Sequence, residues 1–137
     1  MTVVVLDASA ALAWILPSQA TTAASRLLEQ ADEHDFIAPD VFLWEVANVL
    51  ITKARSGSVV VVSALDQLDE LKIDFDHAFS AAEVRRLVDV AAVTRISLFD
   101  AAYLALAMEQ DAVLASRDGP LLAAATAAGL PVFDLRG

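Results

Sequence analysis

Five short apolar runs alternate with longer stretches of helical periodicity, and that alternation restricts the fold more than any other feature of the sequence. The runs are Thr2 to Leu6, Phe36 to Ala38, Ile73 to Phe75, Ala112 to Ala115 and Pro131 to Leu135. Parallel strands need a crossover between them, and a helix supplies it. Strands separated by helical stretches throughout therefore imply an α/β chain with a mostly parallel sheet covered on both faces. Hydrophobic residues make up 58% of the chain, largely Ala, Val and Leu, which suits buried strands under Ala-rich helices. A chain of 137 residues without repeat, low-complexity tract or linker is expected to form one domain over 1–137.

Asp7 opens a helical stretch to about Leu16, which Pro17-Ser18 breaks. A second helix is expected from Thr21 or Thr22 toward Asp35. Asp40 reads as the N-cap of a helix from Val41 to about Arg55, stopped by Ser56-Gly57-Ser58. That helix is apolar nearly all round, so it is expected to be largely buried. Between Val59 and Leu71, four consecutive valines favour strand, whereas Ala64, Leu65, Leu68 and Leu71 have helical spacing; helix is the reading. Ser80 and Glu83 have capping-box spacing at the start of a helix to about Thr94. Ser97 starts another to about Gln110. Asp118 opens the last, with Pro120 in its first turn and an end near Gly129.

The sequence contains no cysteine and two distant histidines, His34 and His77. Disulfides, thiolate zinc sites and a His-based zinc site are thereby disfavoured. The apolar run from Ala8 to Leu16 is too short to span a membrane, and Met1-Thr2-Val3 begins no signal-like region. A cytoplasmic location is expected. Nine basic and 19 acidic residues give a net charge of −10. That counts against a simple nucleic-acid binder, which needs a basic footprint, but not against a nuclease that meets phosphate through metal ions. It also suits attraction of a basic partner.

Ligands of open α/β sheets gather beyond the carboxyl ends of the strands. Asp7 follows the first apolar run, and Asp118 follows the fourth after Ser116-Arg117. If those strands are neighbours, both carboxylates face one crevice. Each also suits a helix N-cap, and the two roles are compatible. Glu45 shares a helix face with Asn48 and Thr52, either as a solvated stripe or as crevice lining. Asp100 is the sole charge between Ile96 and Met108. It either completes a capping box with Ser97 or is a buried acid in need of a cation. Four carboxylates in one pocket would raise each other's pKa values and stay ionised only with bound cations. Oxygen ligands without His or Cys indicate Mg2+ or Mn2+. Asp32, Glu33, Asp35, Asp66, Asp69, Glu70, Asp74 and Asp76 read as solvated.

The segments Val4 to Ala10, Trp44 to Leu50, Leu98 to Ala107 and Leu114 to Leu121 resemble, in order and across essentially the whole chain, the motifs of PIN domains, and most closely those of VapC-type toxins. The resemblance implies an α/β/α sandwich and an endoribonuclease that cuts RNA with metal-activated water, leaving a 5′-phosphate and a 3′-hydroxyl. It maps the acidic quartet onto Asp7, Glu45, Asp100 and Asp118, with Asp7 and Asp100 holding the main Mg2+ or Mn2+ ion. Ser9, Asn48 and Ser116 are supporting positions; Ser116 stands where many members carry Thr. The resemblance further implies a homodimer and an antitoxin whose C-terminal segment covers the site. Arg95 and Arg117, beside the motifs, either touch RNA phosphate or are ordinary surface charge. The alternatives are a PIN-like protein-binding module without catalysis and a receiver-type signalling domain. The second needs a lysine near a late strand, and Lys53 and Lys72, the only lysines, do not follow one.

Overall fold

The computed structural model describes residues 1–57, 60–77 and 80–137. The strands β1 (Thr2–Leu6), β2 (His34–Pro39), β3 (Asp74–Asp76), β4 (Val113–Ser116) and β5 (Val132–Asp134) form one sheet in the order β3-β2-β1-β4-β5. Every pairing in it is parallel. The β-branched β1 lies at the centre with Val4, Val5 and Leu6 fully buried.

The helices are α1 (Ala8–Ile15), α2 (Thr22–Glu29), α3 (Val41–Arg55), α4 (Val61–Glu70), α5 (Ala81–Thr94), α6 (Leu98–Gln110) and α7 (Gly119–Ala127). α1 packs on α2, α3 and α4, whereas α6 packs on α5, α7 and the strands β1, β2 and β4. The result is an α/β/α sandwich. Chain order explains the division: crossovers that move to one side of β1 put their helices on one face, and those that move to the other side use the opposite face. Among the described residues, no single helix is long and apolar enough to cross a membrane.

Several local expectations need correction. α2 ends at Glu29, not near Asp35. Ala31–Glu33 is a short 3-10 turn, and His34 already pairs beside Thr2. Asp32, Glu33 and Asp35 offer no apolar face to extend the helix, and strand pairing claims the chain instead. α3 buries only one stripe, Phe42, Val46 and Leu50, while Leu43, Trp44 and Ile51 are exposed. Asp40 occupies the N-cap position of α3 without capping it; its carboxylate meets His77 Nδ1 at 2.8 Å. Ser80 caps α5, but the Glu83 carboxylate turns to Arg86 instead of closing a capping box. α4 is helical as its spacing suggests; Ser58 and Val59, which the expected helix stop and the expected helix start included, lie outside the described residues.

Candidate active site

Leu6 of β1 pairs with Ala115 of β4, and the Asp7 N–H continues the ladder to the Ala115 carbonyl at 3.3 Å. The adjacency that local sequence left open is therefore present. From β1 the chain crosses toward β2, while β4 arrives on the other side of β1. Their carboxyl ends flank the switch point where α/β sheets open a crevice.

Asp7 is buried there, 4% exposed. It caps α1, with Oδ1 accepting from the Ala10 N–H at 2.9 Å and from Ser9 Oγ at 2.7 Å. Oδ2 accepts from Ser116 Oγ at 2.5 Å. Both hydroxyl oxygens in turn accept backbone N–H groups at 2.8 Å, Ser9 from Arg117 and Ser116 from Asp118. Their protons are thereby committed to Asp7. Such bonds favour the charged carboxylate, yet burial outweighs them and pushes Asp7 up to about 6, with Asp118 adding a smaller push in the same direction.

Asp118 caps α7, accepting from the Leu121 N–H at 3.5 Å. Asp100 stands in the first turn of α6, its own N–H donating to Ser97 Oγ at 3.0 Å. Burial is the largest influence on the Asp100 carboxyl, followed by a hydrogen bond with Asp118 and the charges of Asp118, Asp7 and Glu45; together they raise it to about 7. Glu45 enters from α3 and accepts from the Tyr103 hydroxyl at 2.6 Å. Burial, then Glu45, pushes the Tyr103 phenol far above its ordinary range.

The four acids therefore interact, and none of the ion pairs among the described residues involves any of them. Their oxygens suit a hard divalent cation. Among the described residues no three His, Asp or Glu side chains already stand together as a cage for an ion. Mg2+ keeps several of its waters and commonly takes one or two carboxylates directly, so the donor set fits such an ion without a closed cage.

A crevice beside this cluster is lined by Ser9, Gln19, Trp44, Glu45, Asn48 and Phe99. Asn48 thus accompanies Glu45, whereas Thr52 spends its hydroxyl on the Asn48 carbonyl at 3.1 Å. Arg117 is half-buried; its guanidinium donates to Gln19 at 3.0 Å, and its Nε is buried without a partner. Arg95 is exposed at the left-handed end of α5. An apolar groove between α5 and α6, floored by Val84, Leu87, Leu98 and Leu106, contains none of the four acids. Sequence reasoning missed Tyr103 and Gln19. The available signal for the first was a lone tyrosine three residues beyond Asp100 in an otherwise apolar helix; Gln19 carried none.

Residues 4–126 match the family model of the PIN domain. Ribonuclease VapC3 of Pyrobaculum aerophilum is 36% identical over 106 residues, which span 75% of this chain and 79% of that protein. Among solved structures, PAE2754 from Pyrobaculum aerophilum superposes with a TM-score of 0.72 at 20% identity, covering 96% of this chain and 90% of that one. VapBC2 from Rickettsia felis, solved bound to a DNA fragment from their promoter, gives a TM-score of 0.67 at 14% identity over 97% and 98% of the two chains. At these identities the structural likeness speaks for the fold.

Proposed function

The chain belongs to the PIN domain family, and from that membership we propose that it is a Mg2+- or Mn2+-dependent endoribonuclease, the toxin of a toxin–antitoxin pair, acting through Asp7, Glu45, Asp100 and Asp118. The observation that carries the site is the junction of β1 and β4, where the Ser116 hydroxyl donates to the buried Asp7 carboxylate and its oxygen accepts the Asp118 N–H, so that both acids stand at one switch point. The charges of Asp100 and Glu45 act on the same cluster. A divalent ion bound there supplies counter-charge, a hold on the phosphate and a more acidic water.

The residues do the rest. Ser9, Ser116 and the Ala10 N–H fix the direction of the Asp7 lone pairs. Ionised Asp100 or Asp118 accepts a proton from the attacking water. A new P–O bond forms as the P–O3′ bond breaks, and the departing 3′-oxygen takes a proton from solvent, giving a 5′-phosphate and a 3′-hydroxyl. Arg117, anchored by Gln19, is a cation beside the crevice for an RNA phosphate.

The relative named as a ribonuclease supports the activity, and the VapBC2 assembly supports an antitoxin partner. That partner brings a basic, apolar segment to the crevice beside Trp44 and Phe99, where net charge favours it. A homodimer of one-domain subunits completes the reading.

The test is incubation of the purified protein with structured RNA, with and without Mn2+, beside Asp7→Asn and Asp100→Asn variants. Metal-dependent cutting that either substitution abolishes is the expected result. Failure to cut any RNA overturns the enzyme and favours a binding module.

A further inference from the structure

Resting on the metal-site reading above, we propose that Tyr103 is a positioning residue that fixes Glu45 against the rest of the acid cluster. Its ring is 1% exposed, and its hydroxyl donates to Glu45 Oε1 at 2.6 Å across 58 positions of sequence. Two helices therefore meet at one hydrogen bond: α6 through Tyr103 and α3 through Glu45. Tyr103 also lies three residues beyond Asp100, on the same face of α6. One helix thus carries an acid of the cluster and the tether of another.

The tether answers a specific difficulty. Glu45 is only half-buried on a helix whose neighbouring Leu43 and Trp44 are exposed. Like charges on Asp7 and Asp100 favour a rotamer swung out to solvent. A Lys or Arg in place of Tyr103 would hold Glu45 but cancel its charge. A neutral phenol holds it and leaves that charge available to a cation.

The experiment measures Mn2+ affinity by calorimetry, with folding followed by circular dichroism. Tyr103→Phe should bind Mn2+ about 10-fold more weakly, and at limiting Mn2+ kcat should fall while KM for RNA holds. Glu45→Gln should lose a similar factor, and the double variant should bind no more weakly than Glu45→Gln alone. Glu45→Asp, which keeps the charge but draws it away from the hydroxyl, should behave like Tyr103→Phe; it decides the matter should Tyr103→Phe fold poorly. A folded Tyr103→Phe or a Glu45→Asp with wild-type affinity overturns the tyrosine's role alone, as do additive losses in the double variant. Wild-type protein that binds no Mn2+ overturns the metal site itself.

Discussion

The Ser116 hydroxyl donates to Asp7 Oδ2 across 109 positions of chain, while its oxygen accepts the Asp118 N–H. A single serine thus ties together the carboxyl ends of β1 and β4. It also orients two acids of the cluster at once.

Ser116→Ala should therefore act on both stability and the site. It leaves a buried carboxylate oxygen and the Asp118 N–H without their partner, a loss of about 2 kcal/mol for a bond to a charged group. Urea denaturation should report that loss, and RNA cleavage should fall by about 10-fold or more. Ser116→Thr retains the hydroxyl and should retain most of the activity. An alanine variant as stable and as active as wild type would show that Asp7 needs no such support.

Stability of the metal-free protein should fall as pH rises. Asp7 and Asp100 ionise near 3.8 when unfolded but near 6 and near 7 when folded. Native protein thus holds protons that the unfolded chain releases. The resulting stabilisation is complete below about pH 4 and is lost as pH climbs through 6 and 7. With chelator present, the melting temperature should drop between pH 5.5 and 8. Mn2+ displaces the same protons, so it should raise the melting temperature more at pH 7.5 than at pH 5.5. A metal-free melting temperature that climbs steadily from pH 5.5 to 8 contradicts this.

Asp100→Asn should trade activity for stability. At pH 8 without metal it removes one charge from an uncompensated acidic cluster. Because Asp100 is partly exposed, the gain is modest, about 1 kcal/mol, or about 3 °C in melting temperature. The same variant should cut no RNA and gain little from Mn2+. A destabilised Asp100→Asn would mean that the carboxylate holds the fold together instead of straining it.

Much of this arrangement was legible locally. Asp7 and Asp118 read both as helix caps and as crevice acids, and each caps its helix from the carboxyl end of a strand. The pairing of β1 with β4 was not legible, because the path from β3 back across the sheet through α5 and α6 is set by long-range packing. Nor could periodicity decide which side of an apolar helix is covered. Phe42, Val46 and Leu50 face inward, although Leu43, Trp44 and Ile51 are as apolar. The Tyr103–Glu45 bond escaped for the same reason: its partners lie on different helices, and no spacing rule relates them.

The outward apolar side of α3 supports a last prediction. Trp44 is 79% and Phe99 54% exposed, and both line the crevice that contains Glu45. Exposed aromatics beside a functional crevice are the usual anchors for a partner. Trp44→Ala removes that anchor without opening the core, so the stability of the chain alone should change by no more than about 0.5 kcal/mol. Mn2+ affinity should also hold, since Trp44 contributes no oxygen to the cluster. Binding of the proposed antitoxin partner should weaken by about 2 kcal/mol, or about 30-fold, in a calorimetric titration. Neutralisation of RNA cleavage by that antitoxin should need correspondingly more of it. Equal affinity for wild type and variant would place the partner on another surface, with the groove between α5 and α6 the next to test.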